Sequence, residues 1–425
     1  MYQTICVVDF RWLLGLWAIA AVVILARSLM LYGWSAPTRD SAVLLAVVGG
    51  ILGFVLPGLV GSEGLPIRGY GVMLFIAIAG GVGLSMLRAR RAGIDPDLIL
   101  SLGVWFLFFG IVGARLFYVI EYWDKFQRPT LSETLLGIVN LTQGGLVVYG
   151  SLLAGALALV IFVHRHRLPG LAFTDLIAPG VVLGVGLGRI GCFLNGCCYG
   201  GISDLPWAVR FPQTSPAYID QMQRGQLFVH GLRFAGAQDE PPLIAEVEQN
   251  SPAARAGLRQ GERVTVINGH DVATVEQAQL ELLKVFGGGT QLSVRVADQP
   301  AELTWTVSAE PQRSRPVHPA QLYSLIDALL LCFLLLAYEP FKKREGELTA
   351  LVLTIHPISR FLLEVIRVDE ASVFNTGMSI SQNISIAVFA GGICLWIYLF
   401  TRQPRPTAWP SDAALVHTAA AGQVG

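Results

Sequence analysis

Nine apolar runs, each about as long as a membrane-spanning helix, dominate the sequence. A helix needs roughly 20 consecutive apolar residues to cross the hydrocarbon core of a bilayer. Charged residues make up only 14% of the 425 residues, against about a quarter in a typical soluble protein. The sequence therefore predicts a mainly α-helical, polytopic membrane bundle. The runs lie near 12–32, 42–61, 69–87, 98–120, 143–163, 171–192, 319–340, 347–367 and 378–400.

Short basic clusters follow several of these runs and set the expected orientation. With nine spans, all of the clusters fall on one side, which the positive-inside rule makes cytoplasmic. The N-terminus is then expected outside, the C-terminus in the cytoplasm, and 193–318 on the outer side. The formal net charge of +0 gives no argument for a nucleic-acid partner. The clusters are Arg88, Arg90 and Arg91; His164, Arg165, His166 and Arg167; Lys342, Lys343 and Arg344; and Arg402 and Arg405.

The composition changes to that of a soluble domain between about 231 and 309. Alternating apolar residues predict strands, and apolar residues at helical spacing predict an amphipathic helix. The strands are expected at 243–247, 263–267, 292–296 and 303–307, and the helix at 274–285. The expected divisions of the chain are an N-terminal pair of spans at 1–66, a membrane core at 67–230 and 310–401, a small α/β insert at 231–309, and a cytoplasmic tail at 402–425.

The segment NSPAARAGLRQGERVTVINGHDV at 250–272 resembles the middle of a bacterial PDZ domain. The resemblance implies a short helix after Ser251, closed by Gly257. PDZ domains bind extended peptides by adding a strand to a sheet edge, and the expected edge here is the strand at 243–247. A PDZ-shaped spacer without a ligand is the alternative, because a fold does not specify a function. The candidate peptide-binding residues are Leu243, Ile244 and Ala245.

A polar stretch, GRIGCFLNGCCYG at 188–200, stands at the end of an apolar run. An ionisable group at the rim of a span costs about 3 kcal/mol or more, so it usually faces a cavity, a partner or a substrate. Arg189 is the charged residue here, and its planar fork of donors suits a phosphate or a carboxylate. The alternative is that Arg189 only reaches to the membrane interface or pairs with a nearby carboxylate.

Four further polar motifs lie at or near the predicted outer ends of spans, where they could converge on one site. In the last of them, Arg360, Glu364 and Arg367 recur at i, i+4 and i+7, which places them on one face of a helix. The motifs are RGYG at 68–71, GGLVVYG at 144–150, HPAQLY at 318–323 and RFLLEVIR at 360–367.

Together the five motifs resemble, in the same order, those of the prolipoprotein diacylglyceryl transferases: RxYG, GGxxxxG, GRxGNFxNGExxG, HPxQLY and RFxxExxR. The resemblance covers 67–200 and 316–400. It implies a seven-span enzyme of the bacterial cytoplasmic membrane, here with two added N-terminal spans. The implied partners are phosphatidylglycerol and a prolipoprotein signal peptide with its lipobox cysteine.

The implied reaction moves the diacylglyceryl group of phosphatidylglycerol onto the lipobox thiol, forms a thioether and releases glycerol phosphate. No cofactor is implied. The implied catalytic residues are Arg189 and Arg360. The implied substrate-binding residues are Tyr70, Gly145, Tyr149, Asn195, Gly200, His318, Gln321, Tyr323, Glu364 and Arg367.

Such a reaction needs a thiolate, and an unperturbed thiol has a pKa of about 8.5. A base or a positive field is therefore expected. Many members of the resembled family have histidine where this chain has Tyr149, and tyrosine, with a pKa of about 10, is a poor proton acceptor. We expect a hydrogen-bonding role for Tyr149 and keep His318, Glu364 or a substrate oxygen as candidate bases. A structural hydrogen bond at the start of a helix is the alternative for His318.

Three of the six cysteines, Cys192, Cys197 and Cys198, cluster within 188–200. Cys192 and Cys197 replace an asparagine and a glutamate of the family pattern, which removes groups that could orient a lipid head group. On the outer side, a disulfide between Cys192 and either Cys197 or Cys198 is expected. No metal is expected, because no histidine or further cysteine has the usual ligand spacing.

The same two departures from the family pattern favour one alternative function. That alternative is a non-catalytic lipid- or peptide-binding protein built on the same membrane scaffold. A membrane protease is disfavoured, because the sequence has no HExxH motif.

Overall fold

A computed structural model describes most of the chain. The predicted second span at 42–61 and the predicted tail at 402–425 lie largely outside the described residues, and so does Gly144 of the GGLVVYG motif. The described residues are 4–34, 38, 42, 45, 46, 49, 50, 52, 53, 65–127, 129–140, 145, 147–285, 289–297, 299, 301–307, 312–367, 372, 373, 377–401 and 409.

Helices dominate this part of the chain, and eight of them are long and apolar enough to cross a membrane. These eight coincide with eight of the predicted runs and confirm the polytopic helical bundle. They are α1, α2, α3, α5, α6, α10, α11 and α12. In chain order the helices are α1 Phe10–Tyr32, α2 Gly69–Arg91, α3 Asp97–Glu121, α4 Leu131–Val139, α5 Val148–Arg165, α6 Gly170–Asn195, α7 Pro216–Gln223, α8 Pro252–Arg255, α9 Val275–Leu283, α10 Ala320–Tyr338, α11 Glu347–Ile366 and α12 Ile380–Thr401.

The short polar helices begin at hydroxyl caps, which satisfy backbone N–H groups that the first turn leaves free. Thr130 caps α4, Ser215 caps α7, Ser251 caps α8 and Thr274 caps α9. Because the long apolar helices have their polar backbone groups bonded internally, lipid can surround them without leaving those groups unpaired.

Ten short strands accompany the helices in the described part of the chain. Of these, β6, β5, β7 and β8 form one antiparallel sheet in that spatial order, and β3 pairs with β4. The strands are β1 Thr4–Val8, β2 Leu65–Arg68, β3 Leu232–Ala235, β4 Leu243–Val247, β5 Val264–Ile267, β6 His270–Asp271, β7 Gln291–Val296, β8 Leu303–Thr306, β9 Ser372–Val373 and β10 Met378–Ser379.

The chain divides into two compact units, which we describe separately. Unit I comprises Arg189–Asp327 and Pro357–Ala387, and unit II comprises the other described residues. In unit II, α3 and α5 lie side by side. The Ser151 hydroxyl donates to the Gly110 carbonyl over 3.0 Å, and the Val147 N–H donates to the Ala114 carbonyl over 3.2 Å. Small residues on both helices permit this close approach.

The insert in unit I is a small α/β domain, as the sequence predicts. The four predicted strands correspond to β4, β5, β7 and β8, and the predicted amphipathic helix corresponds to α9. Its hydrophobic core packs both sheets against α9, and it also takes in Tyr218, Met222 and Leu227. The core therefore reaches further toward the N-terminus than the predicted boundary at 231, because α7 supplies part of its apolar surface.

The prediction that β4 offers an open edge for a peptide is wrong. One edge of β4 pairs with β3. On the other edge, the Ile244 N–H donates to the Glu262 carbonyl over 3.0 Å, and the Gly261 N–H donates to the Ile244 carbonyl over 2.8 Å. The Ile244 side chain is only 1% exposed and belongs to the core. Leu243, Ile244 and Ala245 therefore hold the insert together and do not form an open docking edge.

Two segments that connect the insert to the rest of unit I pair with each other. Val317 forms backbone bridges with both Ile202 and Val209, and Arg313 forms one with Pro212. Val209 and Val317 exchange two backbone hydrogen bonds of 3.0 Å each. We call the paired segments 202–212 and 313–317 the neck. Because the Val317 side chain is fully buried, the neck is held by packing as well as by hydrogen bonds.

Candidate active site

Arg189 lies in the last two turns of α6, close to where the apolar helix ends. Its side chain is half-buried. Among the described residues, no carboxylate pairs with its guanidinium and no acceptor receives a hydrogen bond from it. The alternative of an ion pair with a nearby carboxylate therefore has no support in the described part of the chain. An arginine held at a span end without a protein partner is available to an anionic ligand.

The charged face predicted for the RFLLEVIR motif is present on α11. Glu364, whose side chain is 3% exposed, pairs with Arg360, and Arg367 Nη1 lies 3.6 Å from the same carboxylate oxygen, Oε2. Arg360 Nη2 also donates to the Ser381 hydroxyl over 2.8 Å. Two guanidiniums thus share one buried carboxylate, which fixes their directions and leaves one net positive charge in the group.

Backbone hydrogen bonds join the loop that follows α6 to the start of α10 and to the end of α11. The Gly200 N–H donates to the His318 carbonyl over 2.9 Å, the His318 N–H donates to the Gly201 carbonyl over 3.0 Å, and the Gly201 N–H donates to the Ile366 carbonyl over 2.8 Å. Gly200 also forms a backbone bridge with Arg367. The segment after Arg189, the HPAQLY motif and the last residue of RFLLEVIR are therefore brought together by backbone hydrogen bonds.

The HPAQLY side chains hold this loop from the other side. Gln321 Nε2 donates to the Cys197 carbonyl over 2.7 Å. Trp207 Nε1 donates to Tyr323 Oη over 2.7 Å, and Tyr323 Oη lies 3.4 Å from His318 Nδ1. Because indole can only donate, Tyr323 Oη accepts the hydrogen bond from Trp207, and the same oxygen also faces the His318 ring. His318 is thus engaged structurally. Trp207 lies outside the motifs, so no sequence pattern marks it.

The three clustered cysteines converge at the end of α6. Each offers one sulfur, and the three sulfur atoms lie within 4.8 Å of one another. All three are free thiols, so the expected disulfide is not formed in this structure. Hydrogen bonds from the thiols of Cys192 and Cys198 lower the pKa of the Cys197 thiol. Asn195, the remaining predicted residue of this stretch, also hydrogen-bonds the Cys197 thiol and contributes to the same effect.

The other predicted residues belong to unit II. Tyr70 lies in the first turn of α2 and Tyr149 in the first turn of α5. Gly145 has a φ of +81°, and its carbonyl accepts a hydrogen bond of 3.0 Å from Arg115 Nη1. The structure therefore assigns these three residues to helix starts and a loop, as their motifs suggest.

Arg115 is a residue that the motifs do not mark. It is buried on α3, and three of its further hydrogen bonds, of 2.7, 2.8 and 2.7 Å, go to the carbonyls of Ile138, Gly137 and Asn140. This guanidinium therefore donates to carbonyl oxygens at the end of α4 and at Gly145. An arginine within an apolar run is itself a signal of such a role.

A family model and several individual proteins that are similar to this chain all belong to one family. The family model for prolipoprotein diacylglyceryl transferase matches residues 57–398. The phosphatidylglycerol–prolipoprotein diacylglyceryl transferase of Rhodopirellula baltica is 34% identical over 368 residues, which are 80% of this chain and 73% of that protein. The protein of the same name from Corynebacterium glutamicum is 25% identical over 85% of this chain and 87% of its own length.

A shorter match has higher identity. The phosphatidylglycerol–prolipoprotein diacylglyceryl transferase of Deinococcus radiodurans is 37% identical over 156 residues, which are 36% of this chain and 46% of that protein. The motifs, the helical bundle and the extent of the matches agree, and the chain belongs to the prolipoprotein diacylglyceryl transferase family.

Proposed function

We propose that this membrane protein transfers the diacylglyceryl group of phosphatidylglycerol to the thiol of a prolipoprotein lipobox cysteine. The observation that carries the proposal is the guanidinium of Arg189, which has no hydrogen-bond or ion-pair partner among the residues that the structure describes. A phosphodiester is the anion that this reaction brings to the site, and arginine binds phosphate oxygens through two parallel N–H donors. The comparisons with known proteins give no support to the non-catalytic alternative, and the changes at Cys192 and Cys197 leave Arg189 and Arg360 in place.

In the proposed reaction, the substrate sulfur forms a bond to the glyceryl carbon as the bond from that carbon to the phosphate oxygen breaks. The electron pair of the broken bond leaves on the phosphate, which departs as glycerol phosphate. Arg189 stabilises the charge that develops on the leaving oxygens. Arg360 contributes a second positive group, whose position Glu364 and Ser381 fix in advance.

Neither candidate base among the protein side chains is free to accept the thiol proton. His318 Nδ1 faces Tyr323 Oη at 3.4 Å, and the Glu364 carboxylate is shared by Arg360 and Arg367. Both groups are thus engaged with protein partners. A substrate oxygen or solvent fits this arrangement better as the proton acceptor than either side chain.

The membrane setting that we propose is the bacterial cytoplasmic membrane, with the N-terminus outside and the C-terminus in the cytoplasm. Eight apolar helices make this a multi-pass membrane protein. The basic clusters after several helices favour the cytoplasm for those ends. Arg189 and the insert then face the outer side, where secreted precursors arrive.

The insert, we further propose, is a PDZ-like module that helps to select or present precursor chains. The edge that supports this role belongs to β3, which has one strand partner among the described residues. A cavity of 310 Å³ lies beside it, lined by residues of β3, α9 and the end of α7, with Arg224 and Arg233 at its wall. A peptide seated there would meet a strand edge and two arginines whose guanidiniums are already paired with Asp220 and Glu246.

The role of the insert can be separated from the chemistry by shortening the chain between Ser215 and Gln312 to a tight turn that keeps the neck. We expect transfer to a short lipobox peptide to survive and the preference for full-length precursors to be lost. An unchanged preference would mean that the insert is only a spacer.

The transferase proposal is tested with purified protein, phosphatidylglycerol vesicles and a synthetic lipobox peptide. Arg189→Ala should reduce the transfer rate by about 10²–10³-fold, the usual effect of removing one stabilising donor from a transition state. Arg189→Lys should recover only part of the rate, because lysine keeps the charge and loses the bidentate geometry. Arg255→Ala removes an exposed arginine from α8 and is the control. Equal rates in the two alanine variants would contradict the proposal.

A further inference from the structure

The cysteine cluster at the end of α6 has the geometry of an incomplete metal site. The sulfur atoms of Cys192, Cys197 and Cys198 lie within 4.8 Å of one another. In tetrahedral coordination a zinc–sulfur distance of about 2.3 Å places sulfur atoms about 3.8 Å apart. Each sulfur therefore needs to move by about 1 Å at most to coordinate zinc, which a change in side-chain torsion can supply.

The backbone already holds the three side chains in this arrangement. The N–H groups of Gly196 and Cys197 both donate to the Cys192 carbonyl, over 2.9 and 3.2 Å, so the chain turns back over the end of α6. Cys198 has a φ of +58°, a left-handed conformation that few non-glycine residues adopt. Gln321 fixes the turn through the Cys197 carbonyl at 2.7 Å. A strained residue kept in place by its surroundings is typical of functional sites.

Three ligands are the number that a catalytic zinc site requires. Structural zinc sites have four protein ligands, whereas catalytic sites have three and keep the fourth position open for water or substrate. The sequence offers no fourth ligand at the usual spacing, which excludes a structural zinc site and not a catalytic one. In a site that must bind a thiol substrate, the sulfur of the substrate would be the fourth ligand.

We infer that Cys192, Cys197 and Cys198 bind Zn²⁺ and that the open position takes the thiol of the substrate cysteine. This inference rests on the proposed transferase function. Thiolate ligands select soft or borderline metals such as zinc over magnesium and calcium. A zinc-bound thiol loses its proton near neutral pH, so the site supplies the thiolate that the engaged His318 and Glu364 do not.

The position of the site on α6 suits the reaction. Cys192 follows Arg189 by three residues, so both lie on one face of the helix with their Cβ atoms about 5–6 Å apart. A reacting sulfur lies about 3–3.5 Å from the carbon it attacks, and the phosphate is one carbon–oxygen bond beyond. Zinc at the cysteines and phosphate at Arg189 would therefore flank one glyceryl carbon.

The reaction needs no oxidant or reductant. The substrate thiol gives up its proton to solvent when it binds zinc. The sulfur electron pair then forms the bond to the glyceryl carbon, and the carbon–oxygen electron pair leaves with the phosphate that Arg189 holds. The thioether product is a neutral and weaker ligand than a thiolate, so it dissociates and restores the open position.

The inference is tested by substituting Co²⁺ for zinc in the full-length protein in lipid nanodiscs. Thiolate-to-cobalt charge-transfer absorption and visible bands of tetrahedral cobalt are expected at one metal per chain. A lipobox peptide with cysteine should shift the visible bands, and the same peptide with serine should not. Cys197→Ser should remove the charge-transfer band. Cys394→Ser, which replaces an exposed thiol on α12, should keep it.

Several results would overturn the metal site. These are no charge-transfer band in the wild type, an equal response to the cysteine and serine peptides, or a thiol titration that finds two of the three cysteines oxidised. The wild-type comparison of two peptides does not depend on whether a variant folds. Transfer by a metal-free triple serine variant would refute the zinc site and leave the proposed function standing. Cobalt binding with the peptide-dependent shift, but without any transfer, would support the site and refute the proposed function.

Discussion

Replacing Gly200 by alanine is the most local test of how the site is assembled. A Cβ at this position would lie 2.7 Å from the His318 Cβ and 3.1 Å from the Ile366 Cγ2. Non-bonded carbon atoms normally approach to about 3.5–4.0 Å, so the new methyl group overlaps the His318 side chain by about 1 Å. The Cβ of His318 cannot rotate away, because it is attached to a backbone that hydrogen-bonds to Gly200 and Gly201.

The expected magnitude follows from this overlap. Forcing a methyl group into a packed position costs about 1–3 kcal/mol. If the strain is relieved by moving the loop, the backbone bonds that tie Gly200 and Gly201 to His318 and Ile366 lengthen. A displacement of about 1 Å at a reacting group can reduce the rate by about 10²-fold. We therefore expect Gly200→Ala to reduce the transfer rate by about 10²-fold and the free energy of unfolding by about 2 kcal/mol.

The assay compares transfer rates at saturating phosphatidylglycerol and peptide, together with thermal unfolding in lipid nanodiscs. Gly188→Ala is the matched control, because it also adds a methyl group to the signature stretch and would meet no atom within 4 Å. Alanine is a better helix former than glycine by up to about 1 kcal/mol, so this control should be neutral or stabilising. If Gly200→Ala matched Gly188→Ala in rate and stability, the steric argument would be refuted.

Three other perturbations have clear expected outcomes. Glu364→Gln leaves Arg360 and Arg367 without their shared charge partner, so the free energy of unfolding should fall by about 3–5 kcal/mol and most of the transfer activity should be lost. Both quantities are measured on reconstituted protein. A variant as stable as the wild type would contradict the pairing. Ile244→Asp buries an unpaired carboxylate in the insert, so hydrogen exchange should show the insert unfolded while the membrane spans stay protected. Unchanged protection of the insert would contradict the position of Ile244 in its hydrophobic core. Burial lowers the pKa of the His230 imidazole, so the unfolded chain binds that proton at higher pH than the folded insert does. The insert should therefore lose stability as the pH falls below about 6.5, the ordinary histidine pKa, and His230→Gln should remove that slope in hydrogen exchange.

Sequence patterns predict the local features of this protein well. The spans follow from apolar length, and the shared face of Arg360, Glu364 and Arg367 follows from helical spacing. These features depend on residues close together in the chain. Four strands of the insert, β4, β5, β7 and β8, and its helix α9 are predicted within one or two residues for the same reason, since alternation and helical periodicity are local signals. The short strands β3 and β6 are not predicted.

Features set by distant contacts are not visible in the sequence. The second edge of β4 is covered by residues near Glu262, a pairing that no local pattern specifies. That no described carboxylate pairs with Arg189 depends on the three-dimensional positions of side chains far away in the sequence. Trp207 reaches Tyr323 across more than a hundred residues. The cysteine spacing likewise suggested a disulfide, whereas the turn after α6 brings the three sulfurs together as thiols.

The neck has a mechanical consequence. Its last paired residue, Val317, immediately precedes His318, whose backbone bonds directly to Gly200 and Gly201. A load applied to the insert is therefore carried through the isolated backbone bridges of the neck and reaches the loop after α6 without a flexible connecting segment. Strain in the neck would therefore reach the backbone of the loop that follows Arg189 directly.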